Sequence, residues 1–157
     1  MAKKTDDSRI KKVGKATEGA LRWLGFLQQY DVIVDFIDEF EDVCCGEQPN
    51  ARLHYVYPYR SAVITWRRDF VDHASLEAIE ESAIHEALHL LLFAGPHQLA
   101  EKNLDPSKYQ QYRDSEESAV DLVTRYLMRR RPRYGYHSSG VPNTKKTSRE
   151  PKRRSTR

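Results

Sequence analysis

Long apolar runs are missing from this 157-residue chain. No stretch approaches the ~18 apolar residues that a membrane-spanning helix needs. The start, Met1-Ala2-Lys3-Lys4-Thr5-Asp6-Asp7, is charged, and no apolar h-region follows it. No secretory signal is therefore expected, and the expected compartment is the cytoplasm. Cysteine is nearly absent. Cys44 and Cys45 are adjacent, and no C-x-x-C spacing exists. That argues against a disulfide framework and a thiolate metal site, and both read as small buried residues or free thiols. No internal repeat is visible. What remains is the composition of one folded domain, 39% hydrophobic and 31% charged, long enough to bury a core without staples.

The net charge of +3 hides an asymmetry. Residues 129–157 hold eleven Lys/Arg against one acid, net +10, and the other 128 residues hold 15 basic against 22 acidic side chains, net −7. From 131 to 157 Ser, Gly, Pro, Lys and Arg dominate without any period, so a disordered basic tail is expected. Residues 1–15, with six Lys/Arg and little that is apolar, read as a disordered basic lead-in. The folded domain is then 16–130. Opposite signs suggest that the tail touches a nucleic acid or an acidic protein, with Arg129, Arg130, Arg131, Arg133, Lys152, Arg153 and Arg154 as contacts.

Within the domain, Ala20, Leu21, Trp23, Leu24, Leu27 and Tyr30 form the apolar stripe of a helix beginning near Thr17. Residues 31–38, 52–57 and 62–67 are β-branched or aromatic-rich and read as strands. Pro58-Tyr59-Arg60-Ser61 suits a hairpin loop between the last two, so a small antiparallel sheet is expected. A helix capped by Ser75 follows, acidic in its first turns. Its stripe runs from Leu76 to Ala94, with Leu91 and Leu92 included, and Gly95-Pro96 is expected to end it, Gly95 as a left-handed cap. Asp105-Pro106-Ser107 can open a short helix, and Asp114 with Glu117 looks like the capping box of another that runs to about Met128.

The helix after Ser75 carries Ile84-His85-Glu86-Ala87-Leu88-His89-Leu90. Positions i and i+4 share a helix face, so His85 and His89 can reach one metal ion. Glu86 lies roughly 100° further round, placed to contact a water rather than the ion. This is the H-E-x-x-H arrangement of zinc peptidases. The plainer alternative is an amphipathic helix with half-exposed histidines. Against it, two imidazoles and a carboxylate lie within an otherwise apolar helical run, and buried polar groups need partners.

Catalytic zinc has three protein ligands and an open position. Glu116, Glu117 and Asp121 are the candidates for the third. On a helical wheel the apolar centre lies roughly 40° from Glu116 and roughly 140° from Glu117, which favours Glu116 as the ligand. Glu117 is the alternative, because with Asp121 it forms an i, i+4 pair in which one acid binds metal and the other orients a histidine.

On these residues the chain resembles the zincin fold, gluzincin branch. Glu116-Glu117-Ser118-Ala119-Val120-Asp121-Leu122-Val123 is similar to the E-x-x-A-N-x-F-A segment of ImmA/IrrE-type peptidases of phages and mobile elements, with Val120 in place of Asn, and to an E-E-x-x-V-x-x-L segment of small phage-encoded zincin-like proteins. That register selects Glu116, whereas a thermolysin-like N-E-x-x-S-D register selects Glu117 and Asp121. The resemblance, over about residues 17–128, implies an α+β zincin-like domain and a Zn²⁺-dependent, monomeric metallopeptidase with Glu86 as general base and a peptide or protein as substrate. It also implies substrate paired to an edge strand, 62–67 or 52–57, and a second electrophile from among His54, His97, Tyr109 and Tyr112. The competing expectation is a non-catalytic zincin-like domain that binds nucleic acid or an acidic protein through its tail.

Overall fold

The computed structural model describes residues 2–25, 30–41, 48–56 and 60–130. The fold is α+β and mostly helical. In order come α1 (Ala2–Trp23), β1 (Asp31–Ile37), β2 (Ala51–Val56), β3 (Ser61–Arg67), α2 (Arg68–His73), α3 (Leu76–Leu88), a π-helical turn (His89–Phe93), α4 (Ala94–Asn103) and α5 (Pro106–Arg130). No helix among the described residues is long and apolar enough to cross a membrane.

Of the lead-in expected to be disordered over residues 1–15, residues 2–15 lie instead in α1. Val13, Ala16, Thr17, Ala20 and Leu21 are all buried, at i, i+3, i+4, i+7 and i+8, so the stripe begins inside the basic segment. Two of the charges there have partners. Lys12 Nζ donates to the carbonyls of Val71 and Ala74 at 2.7 and 3.0 Å, at the C-terminal end of α2, and Arg9 Nε donates to Asp72 at 2.8 Å. A cation at a helix C-terminus is favoured by the unpaired carbonyls there.

The sheet is mixed, not antiparallel. Its order is β1-β3-β2, with β2 antiparallel to β3 and β1 parallel to it. β3 takes the centre because its alternate residues Ala62, Ile64 and Trp66 are the most deeply buried of the sheet. A short hairpin forces β2 to run opposite, and β1 joins the remaining edge in the other direction. The strand 62–67 therefore offers no free edge, whereas β2 does. Residues 57–59 of the hairpin loop lie outside the described residues, as do Cys44, Cys45 and the tail from 131 to 157.

Ser75 caps α3 as expected, its Oγ accepting the Ala78 N–H at 3.1 Å. The helix does not end at Gly95-Pro96. The chain passes through the π turn, and Phe93, at φ −123° and ψ −6°, resets it into α4. Pro96 falls in the first turn of α4, where a missing N–H breaks no helical bond. Gly95 is not left-handed; Gly25 and Arg60 are the positive-φ residues among those described. The π turn shifts the helix face, so Leu90 is buried while Leu92 is 44% exposed, and Leu76 at the other end also faces out. α5 starts at Pro106, not at Asp114. Asp105 caps it by accepting the Lys108 N–H at 3.0 Å, and Asp114 lies in its interior.

Candidate metal centre

α3 and α5 pack against each other, and β2 packs against α3. Between them lies a cleft of about 490 Å³ whose walls include Leu53, Tyr55, His85, Glu86, His89, Glu117 and Asp121. His85 and His89 project from successive turns with ring centroids 4.8 Å apart, and their Nε2 atoms are separated by 3.1 Å. Glu117 Oε2 lies 3.3 Å from His85 Nε2 and 3.4 Å from His89 Nε2. These three atoms form a nearly equilateral triangle, and the three residues could hold a metal ion. The triangle fits zinc: donors ~2.0–2.1 Å from a tetrahedral centre are about 3.3–3.4 Å apart. Two imidazoles and a carboxylate are also a donor set suited to that ion.

The back of each ring is held as well. His85 Nδ1 is 3.2 Å from Asp121 Oδ1, and His89 Nδ1 is 2.8 Å from Glu116 Oε1. A proton on each Nδ1 donated to these acids leaves the Nε2 lone pairs facing the centre. Glu116 is thus not in the ligand triangle. Its second oxygen, Oε2, is 2.9 Å from His97 Nδ1, so both of its oxygens are committed behind the rings. The wheel argument correctly placed Glu116 inward, for its side chain is 6% exposed against 48% for Glu117. Inward was not the side of the triangle. The open cleft runs along the flank of α5's buried stripe, where Glu117 and Asp121 stand one turn apart.

The electrostatics follow from this packing. Burial opposes ionisation of Glu116, but hydrogen bonds from His89 and His97 outweigh it and hold its carboxyl down at about 2. Glu117 is likewise lowered by its contacts with His85 and His89. Burial opposes protonation of His89, yet Glu116 and Glu117 lift its pKa to about 10. Glu86 is 7% exposed, and burial pushes its carboxyl up, while the His85 and His89 charges and the Leu53 N–H restrain the shift.

The other expected site residues are scattered. Both ring nitrogens of His97 are engaged, Nδ1 with Glu116 and Nε2 with the Tyr109 hydroxyl at 3.0 Å, so neither is free as a second electrophile. The Tyr112 hydroxyl is buried close to Glu116, and His54 is exposed on β2 and is not among the cleft walls. Tyr55 was not foreseen. Its ring lines the cleft with the hydroxyl buried, and burial with the nearby Glu116 charge pushes its pKa up to about 12. The aromatic character of 51–56 marked a strand but not which ring would face the site. Arg129 and Arg130 are exposed at the end of α5, and the other basic tail residues lie outside the described residues.

Comparison with known proteins finds no matching family model, no similar curated protein and no similar solved structure.

Proposed function

We propose that this chain is a zinc-dependent metallopeptidase of zincin-like type. The observation that carries the reading is the triangle of His85 Nε2, His89 Nε2 and Glu117 Oε2, 3.1–3.4 Å on each side, with the Glu86 carboxyl buried beside it in the same cleft. A Zn²⁺ ion held there would supply Lewis acidity and acidify a water. The chain's own residues supply the rest. Asp121 and Glu116 fix the ring orientations of His85 and His89. Glu86 accepts a proton from the attacking water on a carboxylate oxygen and passes it to the leaving amine nitrogen. Burial raises its pKa, which makes its carboxylate a stronger proton acceptor than an exposed one.

β2 supports a peptide as substrate. Asn50 pairs with Arg67 through the Arg67 N–H at 3.0 Å, so hydrogen bonds to β3 fall at residues 50, 52 and 54. The N–H and C=O groups of Ala51, Leu53 and Tyr55 then point away from β3, on the strand that walls the cleft. An extended peptide can add to that edge by β-augmentation beside Glu86, taking over the Leu53 N–H that Glu86 accepts in the unliganded chain.

The test uses the full chain purified with zinc present. Elemental analysis is expected to find one zinc per chain in wild type and little in His89→Ala. Against unstructured peptides, Glu86→Gln is expected to retain zinc and lose about 10²–10⁴-fold in kcat. A wild type without stoichiometric zinc, or a Glu86→Gln variant as active as wild type, overturns the reading.

A further inference from the structure

Behind the ligand triangle runs a chain of hydrogen bonds that neither the motif nor peptide hydrolysis requires. It starts at the Tyr109 hydroxyl, 3.0 Å from His97 Nε2. It continues from His97 Nδ1 to Glu116 Oε2 at 2.9 Å, and from Glu116 Oε1 to His89 Nδ1 at 2.8 Å. Three elements contribute: α4 brings His97, α5 brings Tyr109 and Glu116, and the π turn brings His89. The Glu116 side chain is 6% exposed and that of His97 is 25% exposed.

We propose that His97, backed by Tyr109, is a positioning residue that fixes the tautomer of His89 through Glu116. Donor and acceptor chemistry gives the chain a direction. The Tyr109 O–H donates to His97 Nε2, so the proton on neutral His97 sits at Nδ1 and is donated to Glu116 Oε2. The carboxylate can only accept, so its other oxygen takes the proton of His89 Nδ1. The His89 Nε2 lone pair is then left facing the metal position. Glu116, clamped at both oxygens, cannot swing into the ligand triangle and displace Glu117. The helix restart at Phe93 and Pro96 is what carries His97 over Glu116, which assigns the π turn and α4 a part in building the centre.

The inference rests on the metal-centre reading but not on peptide hydrolysis, and metal affinity tests it without any substrate. Zinc dissociation constants are measured for the full chain by competition with a chromophoric chelator, and Co²⁺ absorption spectra are recorded alongside. His97→Ala removes both links. His97→Asn keeps a donor near the Nδ1 position, and Tyr109→Phe removes only the outer hydroxyl. His97→Ala is expected to weaken zinc binding about 10–100-fold and to shift the cobalt band, whereas His97→Asn stays within about threefold of wild type. Tyr109→Phe falls between them. Equal affinity across all four proteins overturns the inference and leaves the metal centre standing. So does an equal loss in His97→Ala and His97→Asn, which would mark a packing role. If circular dichroism shows that His97→Ala does not fold, Tyr109→Phe against wild type decides, and an unchanged affinity and spectrum there overturn the proposal. A wild type that binds no zinc overturns the metal centre and this inference together.

Discussion

The two sides of α3 are built on opposite principles. Toward α1 and the sheet, the interior is apolar: Val13, Ile64, Trp66, Ile79 and Ala83 are each fully buried in one cluster. Toward α5, the same helix presents His85, Glu86 and, just beyond its last residue, His89 to a wall of acids. The first side gains stability from burial, about 25 cal/mol per Å² of apolar surface. The second brings carboxylates and imidazoles together, each held by another, in an arrangement that a packed core does not need. The contrast separates residues that hold the fold from residues that could hold an ion, although they alternate along one helix.

Substitutions on the two sides should therefore fail differently. Ile79→Ala, on the apolar side, is expected to cost about 2–5 kcal/mol of folding stability while zinc stoichiometry of the folded fraction stays at wild-type level. Denaturant melts with metal analysis check this, and a loss of zinc from correctly folded protein would blur the division. On the acidic side, Glu117→Ala is expected to lower zinc affinity by more than the ~10–100-fold typical of an outer partner. Its melting temperature without metal is expected to fall at neutral pH, because Glu117 helps to stabilise protonated His89. If Glu116→Gln instead weakens binding more than Glu117→Ala, the assignment of the two neighbouring acids is reversed. Asp121→Asn, which acts on His85 from behind, should fall within about 10–100-fold, read by the same chelator competition.

A further effect is set by pH. In the metal-free protein the His89 pKa is raised to about 10, so at neutral pH a proton must leave before an ion can bind. Zinc affinity is expected to climb about tenfold per pH unit between roughly pH 6.5 and 8, with about one proton released from this group. Calorimetry in buffers of different ionisation enthalpy measures that proton. The same shift has a stability consequence of known sign. Protonated His89 between Glu116 and Glu117 stabilises the metal-free fold fully below the ordinary histidine pKa near ~6.5, and this contribution fades as pH rises through about 10. No such slope is expected from the apolar side, which contains no titrating group in its buried cluster.

Much of the centre was legible because helical spacing is local. His85, Glu86 and His89 could be placed on one turn-and-neighbour pattern from their numbers alone, and the structure brings the two imidazoles to 3.1 Å. The third member of the group that could hold an ion was not legible, because a helical wheel identifies which residue points inward but not where the partner helix opens a cleft. Glu116 and Glu117 differ by one position and by roughly 100° of arc. Only the crossing of α5 over α3 decides which of them meets the rings from the front. The basic segment before residue 16 misled for a related reason. Its charges looked like those of a solvated tail until α2 supplied carbonyls for Lys12 and a carboxylate for Arg9.

The sequence by itself determined the helix caps at Ser75 and Asp105, the three strands, and the pairing of two histidines with an interposed acid, since each follows from backbone preference or side-chain period over a few residues. The tertiary structure decided the parallel placement of β1, the restart of the helix at Phe93, the choice of Glu117 over Glu116 and the link from Tyr109 to His89. These depend on contacts between elements distant in sequence, where the relative pose of helices and strands is fixed by how their faces pack and not by any local rule.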